Sequence, residues 1–378
     1  METKRYKLKD FAQDISVSIK DAQTSELNRF VGLEHYDSGE PVITRYTDTN
    51  LITSSVKEFQ KNDILIARRN VYLKRAGIAF FSGLTSGDSI VLRIYDDCER
   101  RTGIPKDDAV KIIPFVLNSN DFWAYANKHA DGMNSKRISK EMLYDYEFEL
   151  LPLLEQRALA NKLWSAYRLK ESYKRLLTAT QEMVKSRFIE MFGNQNTNDK
   201  QWKESLVKDV FQLSMGKTPA RNNNDYWDNG THKWVSVSDL SSYQHYTGDT
   251  SEYITDFAIK ETGIKVVPKG TIIMSFKLSI GRTAITSEDI YTNEAIMAFS
   301  NFDESVFNKD FLYFLIANKN WLLNAKQAVK GFTLNKETIG NSKIIVPPLY
   351  LQEEFEAIYK QSDKSVQDKQ IKNTTTIK

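Results

Sequence analysis

Residues 152–193 read PLLEQRALANKLWSAYRLKESYKRLLTATQEMVKSRFIEMFG, and this stretch decides how the rest of the chain is organised. Because neither Gly nor Pro interrupts it between Pro152 and Gly193, the pattern predicts one unbroken helix. Pro152 suits the first helical position, Glu155 places an anion in the first turn, and Gly193 is the expected terminator. Such a helix would be about 60 Å long, at about 1.5 Å per residue.

An apolar stripe runs along this predicted helix at steps of three and four residues. Its members are Leu159, Leu163, Ala166, Leu169, Tyr173, Leu176, Thr180, Val184, Phe188 and Met191. We expect a partner helix to cover the stripe. The length favours a spacer between two globular bodies, and a long core helix within one domain is the alternative.

The composition is that of a folded protein with room for two domains. The chain has 378 residues, of which 41% are hydrophobic and 12% aromatic. Its one cysteine, Cys98, cannot form an internal disulfide, and its 4 histidines have no zinc-binding spacing with it. We therefore expect a cytoplasmic protein without a metal or another cofactor.

Charge and hydropathy exclude some partners. No apolar run approaches the ~18 residues of a membrane span, and no secretory signal follows the basic N-terminus, so no membrane partner is expected. The net charge of +3 is too small to indicate a nucleic acid by itself. Any DNA affinity would have to come from basic residues gathered on one face.

Residues 1–150 show the mixed pattern of an α+β domain. Short β-like runs separated by glycines and prolines are followed by a helical segment and then by the long helix. The β-like runs are Asp63–Ala67, Ile78–Phe81, Ile90–Ile94 and Val110–Val116, and the helical segment is Asp121–His129.

Residues 194–346 repeat the order of features found in the first domain. The recurring landmarks are 61–67 and 269–275, Asp121 and Asp310, Gly132 and Gly331, and Pro152 with Gln156 and Pro348 with Gln352. We therefore predict an α+β protein with two tandem mixed α/β domains, at 1–150 and 194–346. A spacer helix is predicted at 151–193, and a second, short helix with a frayed tail at 347–378.

Patterns that suggest catalysis fail at particular residues. Gly216-Lys217-Thr218 resembles the end of a phosphate-binding loop, but Phe211 stands where that motif needs its first glycine, so a turn is expected. Pro347-Pro348 lacks the preceding Asn or Asp of an adenine methyltransferase loop. His232 and His245 have no Cys or Ser in a recognisable catalytic setting. We expect no catalytic residues.

Four segments form a specific combination. They are PLLEQR at Pro152–Arg157, KSRFIEMFG at Lys185–Gly193, GKTP at Gly216–Pro219 and PPLYLQEEF at Pro347–Phe355. Together they resemble the specificity subunit of type I restriction-modification enzymes, and the resemblance covers essentially the whole chain. It implies two target recognition domains, each reading one half of a split DNA sequence, separated by two long conserved helices that pair as an antiparallel coiled coil.

The resemblance also implies the partners. These are double-stranded DNA, two methyltransferase subunits that dock on the helices, and motor-nuclease subunits for cleavage, while the chain alone is not an enzyme. The second helix departs from the family pattern, in which it nearly matches the first. Its apolar stripe, at Leu351, Phe355, Ile358 and Tyr359, fades after Tyr359.

Loops rich in Arg, Lys and Asn are the DNA-binding candidates, since Arg and Lys read guanine, Asn reads adenine, and any basic donor binds phosphate. In the first domain they are Arg45, Arg68, Arg69, Asn70, Lys74 and Arg75, with Lys136 and Arg137 after Gly132. In the second they are Lys217, Arg221, Asn222, Asn223, Asn224, Lys277 and Arg282, with Asn335 and Lys336 after Gly331. For each residue alone, a solvated surface charge is the alternative.

Two other classes of protein stay open. A coiled-coil adaptor without DNA recognition agrees with the spacer helix and the small net charge, and it predicts no salt-sensitive DNA binding. An enzyme with an unrecognised catalytic site would show methylation or cleavage by the isolated chain.

Overall fold

The computed structural model of this protein describes residues 3–15, 17–20, 22–52, 54–133, 135–277, 279–323, 326–328 and 331–376. Side chains are described for these residues except 23, 51, 326–328, 331–333 and 363–376. The chain forms two compact units, residues 1–172 and 173–378.

The first unit mixes short strands with short helices. Its strands are β1 (Lys4–Lys7), β2 (Ala12–Asp14), β3 (Ser18–Ile19), β4 (Arg29–Val31), β5 (Val42–Ile43), β6 (Thr47–Asp48), β7 (Val56–Phe59), β8 (Ile64–Ala67), β9 (Ala76–Ala79), β10 (Gly83–Ser86), β11 (Ser89–Ile94) and β12 (Glu147–Leu150). Its helices are α1 (Leu8–Phe11), α2 (Cys98–Thr102), α3 (Lys106–Val116), α4 (Asn120–His129), α5 (Lys140–Tyr144) and the start of α6 (Leu153–Phe192).

Two five-stranded sheets form the centre of the first unit, in the orders β2-β11-β8-β9-β5 and β3-β7-β10-β4-β6. Strand β8 is antiparallel to both of its neighbours. Its Ile64 and Ile66 belong to one hydrophobic cluster, whereas Leu65 and Ala67 belong to another. Because both faces of β8 are buried, its sequence is an uninterrupted apolar run rather than an alternating one.

The predicted strand at Val110–Val116 is wrong, since these residues lie in α3. Ala109, Ile112 and Ile113 are buried on one side of this helix. That spacing of three and four residues is helical, and the less buried Val110, Phe115 and Val116 made the run look like a buried strand. The helix predicted at Asp121–His129 is confirmed as α4, which begins one residue earlier.

The second unit contains the rest of α6 and a similar mixture of elements. Its strands are β13 (Lys203–Leu206), β14 (Gln212–Met215), β15 (His232–Val235), β16 (Glu252–Ile254), β17 (Ile272–Ser275), β18 (Thr283–Ile285), β19 (Tyr291–Thr292), β20 (Ile296–Ser300), β21 (Lys326–Ala328), β22 (Gly331–Thr333) and β23 (Lys343–Val346). Its helices are α7 (Val207–Val210), α8 (Val237–Ser242), α9 (Asp256–Thr262), α10 (Lys309–Asn318), α11 (Lys336–Gly340) and α12 (Leu349–Thr376).

The two units share one plan. The sheet order β14-β20-β17-β18 of the second unit matches β2-β11-β8-β9 of the first when strands are taken in chain order. In each unit the first strand pairs with the strand that precedes the long helix, as β1 with β12 and β13 with β23. The predicted α+β class with a tandem repeat is therefore confirmed.

Helix α6 is unbroken, as predicted, but it begins at Leu153, and the Pro152 carbonyl accepts its first hydrogen bond. Its buried face differs from the predicted stripe. Gln156 and Ala160 are buried, whereas Leu159 is 40% exposed. An amide and a single methyl group carry little weight in a hydrophobic pattern, so the position of the buried face was misjudged there.

Helix α12 is longer than predicted. It continues through Thr376, because no Gly or Pro follows Pro348, and the frayed tail predicted for 372–378 is not found over 372–376. Near its start the ring of Phe355 lies 5.4 Å from that of Phe188 on α6. Further along, Tyr359 lines the same cavity as Val184. Within the second unit, the two helices therefore run antiparallel.

Candidate nucleic-acid interface

The loop between β8 and β9, residues 68–75, holds most of the first unit's candidates. Its centre is a 3-10 turn at Val71–Leu73, with Val71 buried. Asn70 and Lys74 at the two ends have φ angles of 53° and 50°, in the left-handed region. The Leu73 N–H donates to the Asn70 carbonyl at 2.9 Å, which closes the turn.

The arginines of this loop have different partners. Arg68 Nε and Arg69 Nη1 lie 3.5 and 3.0 Å from the carboxylate of Asp88. Arg75 instead donates to the carbonyls of Leu33 and Arg69, both at 3.0 Å. Arg68 and Arg69 thus remain partly exposed charges held by one carboxylate, whereas Arg75 fixes the loop.

The structure brings Lys136 and Arg137 next to this loop. The Asn70 N–H donates to the Lys136 carbonyl at 2.7 Å, and the Ile138 N–H donates to the Arg68 carbonyl at 3.0 Å. Arg69 and Arg137 form an isolated β-bridge. The loop 68–75 and the segment with Lys136 and Arg137 therefore form one basic surface.

Sequence reasoning missed two lysines near this surface. Lys57 on β7 donates to the Ser89 carbonyl at 2.6 Å, and Lys140 on α5 pairs with Asp14. Burial lowers the pKa of Lys57, and the charges of Lys140 and Arg68 act in the same direction, opposed by Asp14. The repeat offered a signal for Lys140, because Lys140 follows the N-cap of α5 as Lys336 follows the N-cap of α11.

Arg45 contacts the 3-10 turn at Leu33–His35 in the first unit. It pairs with Asp37 at 2.8 Å and donates to the Glu34 carbonyl at 2.8 Å. Glu34 belongs to the 3-10 turn Leu33–His35, whose first carbonyl accepts from Arg75. Arg45 and Arg75 thus brace the same turn.

The corresponding loop of the second unit, residues 276–282, joins β17 to β18. The Ser275 N–H donates to the Arg282 carbonyl, and the Gly281 N–H donates to the Ser275 carbonyl, both at 2.9 Å. Gly281 has a φ of 87°, which favours glycine. Lys277 and Arg282 are exposed, and Arg282 borders a cavity of about 440 Å³. The predicted equivalence of this loop to 68–75 agrees with the matching strand order.

Two basic candidates in the loop after β14 make internal contacts. Lys217 Nζ donates to the carbonyl of Thr262, at the end of α9, at 2.6 Å. Arg221 donates to both carboxylate oxygens of Glu252, and its guanidinium carbon lies 4.1 Å from the Trp227 ring centroid. These bonds position the loop, so both residues have a structural role whether or not they also contact DNA.

The three neighbouring asparagines differ in exposure. Asn222 and Asn224 are exposed, while the Asn223 side chain accepts a hydrogen bond from the Asp225 N–H and caps a 3-10 turn. In the α11 region, the Asn335 side chain accepts from the Thr338 N–H at 2.8 Å. The adjacent Lys336 is exposed. Contacts of all these residues with DNA stay predictions.

Among the residues that the structure describes, no group of three His, Cys, Asp or Glu side chains could hold a metal ion. In the same described part of the chain, no helix has the length and apolar character needed to cross a membrane.

Sequence comparisons find relatives over about half of the chain. Residues 199–376 match the family described as the type I restriction modification DNA specificity domain. The chain is 27% identical over 178 residues to the type I restriction enzyme MjaIX specificity subunit of Methanocaldococcus jannaschii, which is 46% of this chain and 40% of that protein. It is 23% identical over 177 residues to the HindI specificity subunit of Haemophilus influenzae, covering 37% of it. The match therefore spans well under half of these relatives.

Solved structures match nearly the whole chain. The type I restriction-modification S subunit from M. genitalium is 14% identical, with a TM-score of 0.57, over 100% of this chain and 94% of that one. A chain from a structural study of the assembly and conformational transition of a type I system is 14% identical, with a TM-score of 0.52, over 99% of this chain and 93% of that one. These matches show a shared fold.

Proposed function

We propose that this chain is the DNA-recognition subunit of a type I restriction-modification complex, because its second half matches the type I DNA specificity domain and the whole chain shares its fold with a solved type I S subunit. Each unit reads one half of a bipartite target. We also propose a cytoplasmic location, which is the expectation drawn from the sequence.

One observation carries this proposal: both units have a cationic loop between corresponding strands of their matching sheets. Arg68 and Arg69 follow β8, and Lys277 and Arg282 lie between β17 and β18. Such side chains bind phosphates and donate to guanine in the major groove. A repeated reading loop is what recognition of two half-sites requires.

In this proposal the long helices have a role separate from that of the loops. Helix α6 spaces the two reading units, and α6 with α12 provides docking surfaces for two methyltransferase subunits, which motor-nuclease subunits join for cleavage. The functional division is two target recognition domains at 1–150 and 194–346, with helical segments at 151–193 and 347–378. The chain contributes no catalytic residue and no cofactor, so the purified chain alone is expected to show neither methylation nor cleavage.

The test is DNA binding by the chain assembled with its methyltransferase subunits. We expect preference for one sequence over a scrambled duplex, and an affinity that falls with salt by about 0.9 log units per log unit of salt for each phosphate contacted. A complex that assembles but binds no DNA in a salt-sensitive way would support the coiled-coil adaptor instead, which the DNA specificity match does not favour.

A further inference from the structure

Two large apolar side chains are exposed at the tip of the β8–β9 loop. Tyr72 is 59% and Leu73 is 37% exposed, whereas the adjacent Val71 is 1% exposed and anchors the turn in the core. Exposed apolar residues that stand alone need no explanation, but a neighbouring pair at the tip of a fixed loop marks a contact surface.

The turn holds these side chains in one orientation. Asn70 and Lys74 bracket it in left-handed conformations that non-glycine residues adopt at a cost. The Lys74 N–H donates to the Val71 carbonyl at 3.0 Å, and the Lys74 carbonyl accepts from the Gly39 N–H at 2.7 Å. A tip fixed before binding loses little conformational entropy when it meets a partner.

The surroundings of the pair identify the partner. Arg68 and Arg69 precede it, Lys74 follows it, and Lys136 is hydrogen-bonded through its backbone to Asn70. Apolar side chains among cations suit a polyanion that has an apolar feature of its own. The major groove of DNA is about 12 Å wide, admits a two-stranded β-ribbon, and presents the thymine C5-methyl group for apolar contact.

We propose that Tyr72 and Leu73 read thymine in the half-site of the first unit, by apolar contact with its C5-methyl group in the major groove. The proposal rests on the proposed function and adds a specificity determinant to the cationic loop. The arginines and lysines bind the backbone and guanine edges, and the apolar pair distinguishes A·T pairs.

The test replaces each thymine of the first unit's half-site with deoxyuridine, which lacks the methyl group and keeps the base pairing. The half-site is taken from the methylated motif. For the complex with the wild-type chain, we expect at least one replacement to weaken binding about fourfold, the effect of one lost apolar methyl contact. Tyr72→Ala with Leu73→Ala should bind normal DNA more weakly and should no longer respond to deoxyuridine at that position.

Two controls isolate the contact. Tyr72→Phe with Leu73→Met keeps the apolar surface and should keep the response. Val17→Ala changes an apolar residue of the same unit that is 50% exposed and outside the loop, and it should behave as wild type. Circular dichroism of each chain checks folding, which is expected to be unchanged because the substituted side chains are exposed.

Two results overturn the proposal: no deoxyuridine position in the half-site affects the wild-type complex, or the double alanine variant keeps the full response. Failure of the proposed function is a different result, in which the wild-type complex shows no sequence preference on unmodified DNA.

Discussion

In the first unit, Arg68 and Arg69 share the single carboxylate of Asp88. Asp88 orients the guanidinium groups and neutralises only part of their charge. We predict that Arg68→Ala with Arg69→Ala weakens DNA binding by the complex. One lost bidentate base contact costs about 1–3 kcal/mol, and each lost phosphate contact lowers the salt slope by about one. Fluorescence anisotropy over a salt series measures both.

The matched control is Arg100→Ala with Arg101→Ala. It removes the same charge from an exposed pair on α2 that also shares one carboxylate, Asp97. If both double variants weaken binding equally, the effect is one of net charge and the loop has no special role.

Lys277 and Arg282 are expected to do the same for the second half-site. Lys277→Ala with Arg282→Ala should reduce binding to a target whose second half is correct, and should leave discrimination in the first half unchanged. The control Lys260→Ala with Lys265→Ala removes two exposed lysines of the same unit. Binding is measured in competition with duplexes that are each mutated in only one half-site. If the variant also lost discrimination in the first half-site, the assignment would be wrong.

Gly216 in the GKT turn is required by space rather than by phosphate binding. A Cβ atom at this position would lie 1.9 Å from the carbonyl oxygen of Thr292. We predict that Gly216→Ala lowers the free energy of unfolding by about 1–3 kcal/mol or more, as overpacking does. Gly248→Ala is the control, because its Cβ would meet nothing closer than 3.6 Å, at Tyr243. Equal stability of the two variants in urea would contradict the prediction.

At the scale of elements, a charge cluster centred on the buried Asp310 joins α10 to α12. Asp310 on α10 lies 3.3 Å from His245 Nε2 and 3.4 Å from Lys360 Nζ on α12. Burial acts to raise the pKa of Asp310, but its contact with His245 and the positive charges of His245 and Lys360 outweigh burial, and the pKa is lowered. The charged carboxylate therefore stabilises the folded unit.

The sign of the pH dependence follows from this lowered pKa. The contribution is complete above the ordinary pKa of 3.8 and is lost as the pH falls below it through the folded value. We predict that Asp310→Asn costs about 1–3 kcal/mol at neutral pH and makes acid unfolding less steep. Denaturant titrations between about pH 2 and pH 7 measure both effects. The exposed Asp228→Asn is the control, and an unchanged acid dependence in Asp310→Asn would contradict the account.

The elements that could be predicted are those with local signals. Helix α6 has a proline before it, a glycine after it and neither within it. The run at 110–116 has conflicting markers, because Pro105 precedes its helix but Pro114 lies within it, and only its burial on one side shows that it is a helix. The buried face of α6 was misjudged around Leu159 because Gln156 and Ala160 owe their burial to tertiary packing.

The candidate interface was predictable where its residues are consecutive. The cluster at 68–75 is visible in the sequence, whereas Lys57, Asp88 and Lys140 join it only through strand pairing and helix packing. Lys217 and Arg221 were selected for their charge. Their contacts with Thr262 and Glu252 depend on distant elements and could not be read from the loop itself.

At the scale of the whole molecule, α6 is proposed to set the distance between the half-sites. Inserting four residues after Lys170 adds about one turn, roughly 6 Å, and nearly preserves which face of the helix is buried. B-DNA rises about 3.4 Å per base pair along one strand, so we predict a gap longer by one or two base pairs with both half-sites unchanged. The methylated motif in host DNA measures the gap.

A two-residue insertion at the same place is the control. It rotates the following part of α6 by about 200°, so it should disrupt helix pairing and reduce methylation rather than change the gap. A four-residue insertion that alters the half-site bases, or leaves the whole motif as it was, would show that α6 is not the spacer.

The most direct test of the central claim, that each unit reads one half of a bipartite target, is the methylated motif of a host that carries this chain with its methyltransferase subunit. The account predicts one motif with two specified halves separated by unspecified bases. It also predicts that Arg68→Ala with Arg69→Ala relaxes only one half, and that Lys277→Ala with Arg282→Ala relaxes only the other. A continuous motif, no motif, or relaxation of the same half by both variants would contradict it.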